Sequence, residues 1–185
     1  MSRFLKILAL CCFCIVASAS AVQDITFKHI TTDDGLSQIS VNSLYVDENG
    51  IIWIGTRNGL NRFNGNSIQT FKLNKNDPNS LFCNTVLTIV GNGNGMLYLL
   101  CTEGIAEFDL STGHFVTLLR GDVNSIYYCD GLFIGIDNKI YEYDEGSKNF
   151  NLYRTIADRT IEICCMYRFL LPTRLTSNSW TRPLK

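Results

Sequence analysis

The sequence predicts an all-β fold built from short strands. Fourteen glycines accompany only three prolines, Asn-Gly pairs recur between short apolar runs, and a segment of about 40 residues repeats along the chain. With 46% hydrophobic and 18% charged residues, the composition is typical of a protein with a packed core. Because the net charge is -1, no basic excess favours binding to nucleic acid.

The first 21 residues predict a secretory signal peptide. Arg3 and Lys6 flank an apolar stretch at 4–16, and small residues follow at 17–21, so we expect cleavage after Ala19 or Ala21. A membrane anchor is the alternative, but this stretch is shorter than the roughly 20 residues that a spanning helix requires. The mature chain is therefore expected to be exported.

Three of the eight cysteines lie in the predicted signal peptide, which leaves five in the mature chain. Their spacing fits no zinc-binding motif, so we expect most of them to be small buried hydrophobic side chains. One disulfide formed in an oxidising compartment is the alternative, and its pairing is open. The five residues are Cys83, Cys101, Cys129, Cys164 and Cys165.

An internal repeat organises the middle of the chain. Residues 41–65 recur at 86–110 with a constant offset of 45, and a shortened third copy follows from Val123. Apolar and glycine positions are kept between copies, whereas polar positions change. The repeat positions are Trp53, Gly55, Thr56, Gly59 and Leu60, then Tyr98, Gly104 and Ile105, then Phe133 and Ile140. We expect the three aromatic residues of this set to occupy equivalent buried sites.

Each copy predicts four short strands. In the first copy they cover 41–46, 51–55, 60–63 and 67–72, and the turns between them are rich in Asn-Gly, a strong hairpin signal. The second strand is apolar on both faces, so its sheet must be covered from both sides. Stacked four-stranded units of this length are typical of β-propeller blades. We predict a partial β-propeller of about three antiparallel blades, near 41–78, 79–120 and 121–154.

The segments that flank the blades have separate interpretations. Residues 34–38 align with 79–83, so we interpret 22–40 as a closing outermost strand, Ile25 to Ile30, followed by a linker. Residues 155–185 contain no glycine and carry an excess of basic side chains. That change of character favours an incomplete or non-native tail and a truncated chain.

The run from Phe27 to Gly65 resembles the opening of the two-component regulator propeller family. The resemblance rests on Asp34-Gly35-Leu36-Ser37, on Trp53-Ile54-Gly55-Thr56 and on Asn58-Gly59-Leu60. It covers about 27–153 and weakens in the second copy, where Leu100-Cys101 replaces Gly55-Thr56. In this family such propellers form the N-terminal periplasmic sensor region of hybrid two-component sensor histidine kinases.

The resemblance implies a ligand-sensing fragment on the periplasmic side of the inner membrane, with oligosaccharides from polysaccharide breakdown as the ligand. It also implies downstream blades, a kinase module and a homodimer as partners. Because no kinase core can be placed in this sequence, we do not expect the fragment itself to be an enzyme, and we expect no cofactor and no nucleic-acid partner. A secreted propeller lyase or hydrolase and a nonfunctional truncated remnant are the alternatives.

Residues that could carry catalysis have simpler interpretations. His29 and His114 lie in different copies with no nucleophile motif nearby, which argues against a catalytic triad. Asp33-Asp34 is expected to form a turn. The glycine-rich run 91–95 lacks a following Gly-Lys-Ser/Thr and is expected to be a hairpin. Trp53 is expected to pack in the core rather than stack on a sugar. No catalytic or metal-ligating set emerges.

The ligand-contact candidates are polar residues at the starts of first strands, which are expected to face a central channel. Asn-Ser recurs at this place in the first and third copies, as Asn42, Ser43, Asn124 and Ser125. The alternative is that these side chains satisfy backbone groups at the strand ends.

Overall fold

The computed structural model describes residues 27–156, which form three antiparallel sheets of four strands each. Blade 1 consists of β1 (Val41–Val46), β2 (Ile52–Thr56), β3 (Gly59–Phe63) and β4 (Ile68–Phe71). Blade 2 consists of β5 (Val86–Gly91), β6 (Met96–Cys101), β7 (Gly104–Asp109) and β8 (Phe115–Arg120). Blade 3 consists of β9 (Ser125–Tyr128), β10 (Leu132–Ile136), β11 (Lys139–Asp144) and β12 (Asn149–Thr155). The predicted all-β architecture of three meandering blades is confirmed.

The repeat positions occupy equivalent sites. The aromatic residue of each second strand lies opposite a charged residue of the third strand, as Trp53–Arg62, Tyr98–Glu107 and Phe133–Glu142. The three aromatic side chains are 2%, 1% and 6% exposed, respectively. The three side chains therefore share one register and are all buried. First strands of neighbouring blades contact each other, which places them where the blades converge.

The hairpin between the first and second strands is also built in the same way in blades 1 and 2. Asp47 Oδ1 accepts hydrogen bonds of 2.9 and 3.0 Å from the amides of residues 49 and 51. Asn92 Oδ1 accepts hydrogen bonds of 2.8 and 3.0 Å from the amides of residues 94 and 96. The glycine-rich run 91–95 is therefore a hairpin, as predicted, and the side chain at its start holds it closed.

The contact between blades 1 and 2 is largely aromatic and aliphatic. Trp53 meets Phe108 of blade 2 edge-on, with ring centroids 5.4 Å apart. Close approach of the sheets depends on Gly55, where an added Cβ would lie 2.9 Å from Cγ1 of Val86. Between blades 2 and 3, Tyr98 stacks on Tyr128 at a centroid distance of 5.7 Å. Blade 2, the middle blade, is thus covered by a neighbouring blade on both faces, as propeller packing requires.

A buried hydrogen-bond network fastens the segment before blade 1 to that sheet. The amide of Ser37 donates to Asn61 Oδ1 at 2.9 Å, and Asn61 Nδ2 donates to Ser37 Oγ at 2.8 Å. The Ser37 hydroxyl also lies 2.8 Å from Thr56 Oγ1, and Asn58 Nδ2 donates to the Ser37 carbonyl at 3.0 Å. Asn61 and Thr56 are fully buried, so every polar atom of theirs needs a partner.

In blade 2, apolar side chains fill the space that this polar network occupies in blade 1. The residues at the positions of Ser37, Thr56 and Asn61 are Phe82, Cys101 and Ala106, all of them buried. Cys101 is therefore a small hydrophobic side chain in a strand, as predicted. Cys83 is buried just before blade 2 and Cys129 is exposed; both are free, as is Cys101. Cys164 and Cys165 lie outside the described residues.

The segments that flank the blades differ in part from expectation. Phe27 to Ile30, the described part of the predicted closing strand, pair with none of the three sheets, so closure of a further blade by this segment stays a prediction. Thr32–Asp34 form a single 3-10 turn capped by Thr31, in agreement with the turn predicted for Asp33-Asp34. The last strand ends at Thr155, one residue beyond the expected blade boundary. The predicted signal peptide and residues 157–185 lie outside the described range.

Candidate functional site

Two of the predicted ligand-contact residues instead join blade 1 to blade 2. Asn42 Nδ2 donates a 2.8 Å hydrogen bond to the carbonyl of Val86, and Ser43 Oγ accepts a 3.0 Å hydrogen bond from the amide of Ile89. Both backbone groups belong to β5. These contacts favour the alternative interpretation, in which the side chains satisfy strand backbone groups.

The other two candidates act within blade 3. Asn124 Oδ1 accepts a 2.7 Å hydrogen bond from the amide of Asp137, in the turn between β10 and β11. Ser125 is buried, with its hydroxyl against Gly135. The four residues therefore have different surroundings and line neither of the two clefts described next. Ligand contact by any of them stays a prediction.

A cleft of about 420 Å³ opens between blades 1 and 2, and we call it the first cleft. Blade 1 supplies the β1–β2 hairpin and residues of β2, β3 and β4, while blade 2 supplies the end of β7 and the turn that follows it. The lining residues are Asp47, Asn49, Ile51, Trp53, Arg62, Gln69, Phe71, Phe108, Leu110, Ser111, Thr112 and Gly113. Its volume lies in the range of small-ligand sites.

A second cleft of about 330 Å³ lies between blades 2 and 3. Its lining residues are Asn92, Asn94, Met96, Tyr98, Glu107, Tyr143, Glu145 and Lys148. The first five are the residues 45 positions after Asp47, Asn49, Ile51, Trp53 and Arg62, so the two clefts are built from the same places in successive repeats. The propeller repeat thus generates a cleft at each of these blade contacts.

The clefts differ in charge at the third strand. Arg62 lines the first cleft, whereas Glu107 takes its place in the second and Glu145 adds another carboxylate. Burial, followed by repulsion from Glu145, raises the pKa of the Glu107 carboxyl, and Lys148 opposes this shift. Burial likewise raises the pKa of Tyr98. An anionic group is therefore disfavoured in the second cleft.

The first cleft offers binding groups rather than catalytic ones. Asn49, Gln69 and Thr112 are exposed lining residues that carry amide and hydroxyl groups, and Arg62 is half-buried. Among the described lining residues, Asp47 has the only carboxylate, which accepts hydrogen bonds from two amides and from the Trp53 indole. Within residues 27–156, no group of three or more histidine, cysteine or acidic residues is placed to hold a metal.

Sequence reasoning missed both clefts, because their walls come from different repeats. A signal for them was present in the third strands, where a charged residue stands directly before an aromatic residue at the same position in each copy. These residues are Arg62, Glu107 and Glu142. In a strand covered on both faces, such a residue indicates an opening between the sheets.

Comparison with protein families now adds to this geometry. Residues 35–58 match the family model described as "Two component regulator propeller". Residues 35–58 therefore resemble a two-component regulator propeller. The matched residues of this propeller run from Gly35, across the Ser37 network, through β1 and β2 to Asn58.

Known proteins resemble the propeller over limited lengths. Histidine kinase P4 from Formosa agariphila is 41% identical over 66 residues, which are 36% of this chain and 5% of that protein. The extracellular domain of a protein described as hybrid two-component system BT3049 from B. thetaiotaomicron has a TM-score of 0.61 at 20% identity, over 69% of this chain and 20% of that one. A second B. thetaiotaomicron extracellular domain, of a protein described as one-component system BT4673, has a TM-score of 0.57 at 17% identity, over 71% and 19%.

The propeller spans only a small part of each of these relatives, and the two structural neighbours establish the fold. Among the residues that the structure describes, no helix has the length and apolar character to cross a membrane.

Proposed function

We propose that this propeller is the extracytoplasmic ligand-sensing region of a hybrid two-component signalling protein. The observation that carries the proposal is the family match at residues 35–58, which coincides with the tightly bonded unit around Ser37, Thr56 and Asn58. The similarity to a histidine kinase over 66 residues supports the same role. Downstream blades, a kinase module and a second copy of the protein are the partners that this role requires.

The proposed ligand is an oligosaccharide released from a polysaccharide. Support comes from the first cleft, whose lining combines the exposed side chains of Asn49, Gln69 and Thr112 with aromatic residues. Amide and hydroxyl groups suit the hydroxyls of a sugar, and aromatic side chains suit its apolar faces. A ligand held between two blades contacts both, so its binding energy depends on how the blades are spaced. Such differential binding is the thermodynamic basis of signalling.

Ligand binding is tested with the purified chain and a panel of oligosaccharides from several polysaccharide classes. We expect one class to bind saturably in calorimetry and to raise the melting temperature with concentration, because a ligand of the folded state stabilises that state. The same samples are analysed by chromatography for new products. Binding without turnover supports sensing, whereas cleavage of a glycan contradicts it in favour of a secreted propeller lyase or hydrolase.

Signal output is tested in a chimera in which the 66-residue stretch of Histidine kinase P4 that resembles this chain is replaced by the aligned residues of this chain. We expect an oligosaccharide that binds the purified chain to change the phosphorylation of the chimera. A chimera that is folded and phosphorylated, but whose phosphorylation does not respond to the bound oligosaccharide, would contradict the sensory role.

A further inference from the structure

We propose that the first cleft binds the anionic group of an acidic oligosaccharide, a carboxylate or a sulfate, and that Arg62 is the cation that binds it. This inference deepens the proposed function, since it names the class of sugar that the propeller recognises. It rests on the placement of Arg62, on the bonding of Asp47 and on the contrast between the two clefts.

Arg62 is placed as a binding residue. It lies on β3, opposite Trp53 on one side and Gln69 on the other, and is half-buried in the wall of the cleft. Within residues 27–156 its guanidinium makes no hydrogen bond and no ion pair. A planar guanidinium forms two parallel hydrogen bonds to a carboxylate or a sulfate, so a partly desolvated arginine with free donors is suited to such a group.

The carboxylate in the same cleft does not pair with Arg62. Asp47 Oδ1 accepts the amides of Asn49 and Ile51, and its Oδ2 accepts the indole N–H of Trp53 at 2.8 Å. These three donors hold the carboxylate in the wall of the cleft. No ion pair within 4.0 Å joins the Asp47 and Arg62 side chains. The guanidinium is therefore available to a ligand.

The remaining groups suit a sugar that carries the anion. Asn49, Gln69 and Thr112 are exposed lining residues within reach of hydroxyl groups, while Phe71 and Phe108 form apolar wall beside Arg62. A volume of about 420 Å³ is small for a ligand pocket, so we expect one or two sugar rings to occupy it. A bare inorganic anion would leave these polar groups unused.

The second cleft provides an internal control. It repeats the hairpin and the buried aromatic residue of the first cleft, but Glu107 replaces Arg62 and Glu145 lies on the facing turn. Of the lining residues in the described part of the chain, Lys148 alone is cationic. If Arg62 is the determinant, removal of the charge at position 62 must weaken anion binding, while removal of the charge at position 107 must not.

The experiment uses the purified full chain and isothermal titration calorimetry. The probes are digalacturonate, its methyl ester, glucose 6-sulfate, glucose and inorganic sulfate. We expect an acidic sugar to bind more tightly than its neutral counterpart and than inorganic sulfate, with an affinity that falls as salt is added. The carboxylate and sulfate probes separate the two anion chemistries.

Arg62→Gln is expected to lower the affinity for the acidic sugar about tenfold or more, since charge-assisted hydrogen bonds are lost. Glu107→Gln is the matched control and is expected to leave that affinity within about twofold. Arg62→Lys keeps the charge and the aliphatic stem, and we expect a loss of about threefold because one ammonium replaces a two-pronged donor. Circular dichroism checks that each variant is folded, and Arg62→Lys decides the question if Arg62→Gln does not fold.

Three results would overturn the inference: an acidic sugar that binds no better than its neutral counterpart, unchanged affinity in the folded Arg62 variants, or an equal loss in Glu107→Gln. Failure here is distinguishable from failure of the proposed function. If a neutral oligosaccharide binds all variants with equal affinity, Arg62 is not the binding cation, but the protein still binds a ligand. The glycan panel described above tests ligand sensing independently of Arg62.

Discussion

The indole nitrogen of Trp53 donates a 2.8 Å hydrogen bond to Oδ2 of Asp47, the residue that also closes the β1–β2 hairpin. The central aromatic residue of blade 1 is thereby fixed to the turn that precedes its own strand. In blade 2 the same places hold Tyr98 and Asn92, and Asn92 closes the turn with Oδ1 alone. Asp47 therefore combines a common turn motif with a hydrogen bond to the second strand of its blade.

Asp47→Ala is expected to lower the free energy of unfolding by about 2–3 kcal/mol, because the buried indole N–H and two turn amides lose their acceptor. Asp47→Asn keeps one acceptor oxygen for the turn and is expected to cost about half as much. Urea unfolding followed by circular dichroism measures both variants. Equal stability of Asp47→Ala and the unmodified chain would contradict the assigned role.

Asn61→Ala is expected to destabilise the protein by about 2–3 kcal/mol, because the Ser37 amide and hydroxyl, the Ile54 carbonyl and the Thr70 hydroxyl all lose a partner. Asn66→Ala is the control, since Asn66 is exposed and only its backbone amide is bonded. That control is expected to change stability by less than about 0.5 kcal/mol. Chemical denaturation of the two variants side by side decides whether the network is stabilising.

Gly55→Val tests the close approach of blades 1 and 2. The new Cβ would lie 2.9 Å from Val86 Cγ1 and 3.4 Å from Ile89 Cδ1, and we expect the overpacking to cost about 1–3 kcal/mol. Gly131→Ala is the control, because the nearest atom to its Cβ is 3.6 Å away. A melting temperature for Gly55→Val equal to that of the control would show that the sheets separate without cost.

Leu44 and Ile89 occupy the same repeat position on different blades. Leu44 is 64% exposed, whereas Ile89 is 4% exposed because blade 1 covers it. Leu44→Ser is expected to change stability by less than about 0.5 kcal/mol, and Ile89→Ser is expected to cost about 2–4 kcal/mol. A similar loss in both variants, measured by urea unfolding, would mean that Leu44 is also covered in solution.

Glu107 gives a pH dependence of defined sign. Its folded-state pKa is raised above the usual value of 4.5, mainly by burial and then by Glu145 and Asp109, while Lys148 opposes the shift. The folded state therefore holds this proton more tightly than the unfolded state, and the Glu107 contribution to stability is lost as pH rises from 4.5 through the raised pKa. Glu107→Gln removes that contribution.

The measurement is the difference in melting temperature between the unmodified chain and Glu107→Gln across this pH window. We expect the advantage of the glutamine variant to grow as pH rises and then to level off. Subtraction of the two profiles cancels the titration of carboxyl groups that do not interact with Glu107, such as Asp34 and Asp144, whose pKa values are lowered by hydrogen bonds from Thr31 and Ser147. A constant difference across the window would contradict the prediction.

Most of the fold could be predicted from the sequence because strand period, turn chemistry and the 45-residue repeat all indicated the same units. The predicted bounds of β1 and β2 differ from the observed ones by at most one residue. The predicted strand near Ile25 to Ile30 is absent from its described part, since strand formation there depends on a neighbouring edge and not on local propensity.

The candidate site was harder to predict, because a cleft is a property of the space between two sheets. Asn42 and Ser43 are polar residues at a strand start. The sequence does not reveal that β5 lies close enough for its Val86 carbonyl to accept from Asn42 and for its Ile89 amide to donate to Ser43. The sequence shows Arg62 as a charged residue in a short strand and does not indicate what its side chain faces. Its exposure to a cleft became apparent when the neighbouring blade was in place.

In blade 1 the segment that precedes the first strand is fixed to its sheet by polar residues, and in blade 2 by apolar residues. This difference restricts recombination between the repeats. Blade 1 needs Ser37, Thr56 and Asn61 together, and blade 2 fills the same space with Phe82, Cys101 and Ala106. Unequal crossing-over with a breakpoint between Ser37 and Thr56, or between Phe82 and Cys101, would separate the residue before the first strand from its partners in the sheet. The product would join a polar segment to an apolar sheet, or the reverse. Either hybrid would bury polar groups without partners. Viable recombinants must therefore inherit each set as one block of about 25 residues, which is about the span of the family match.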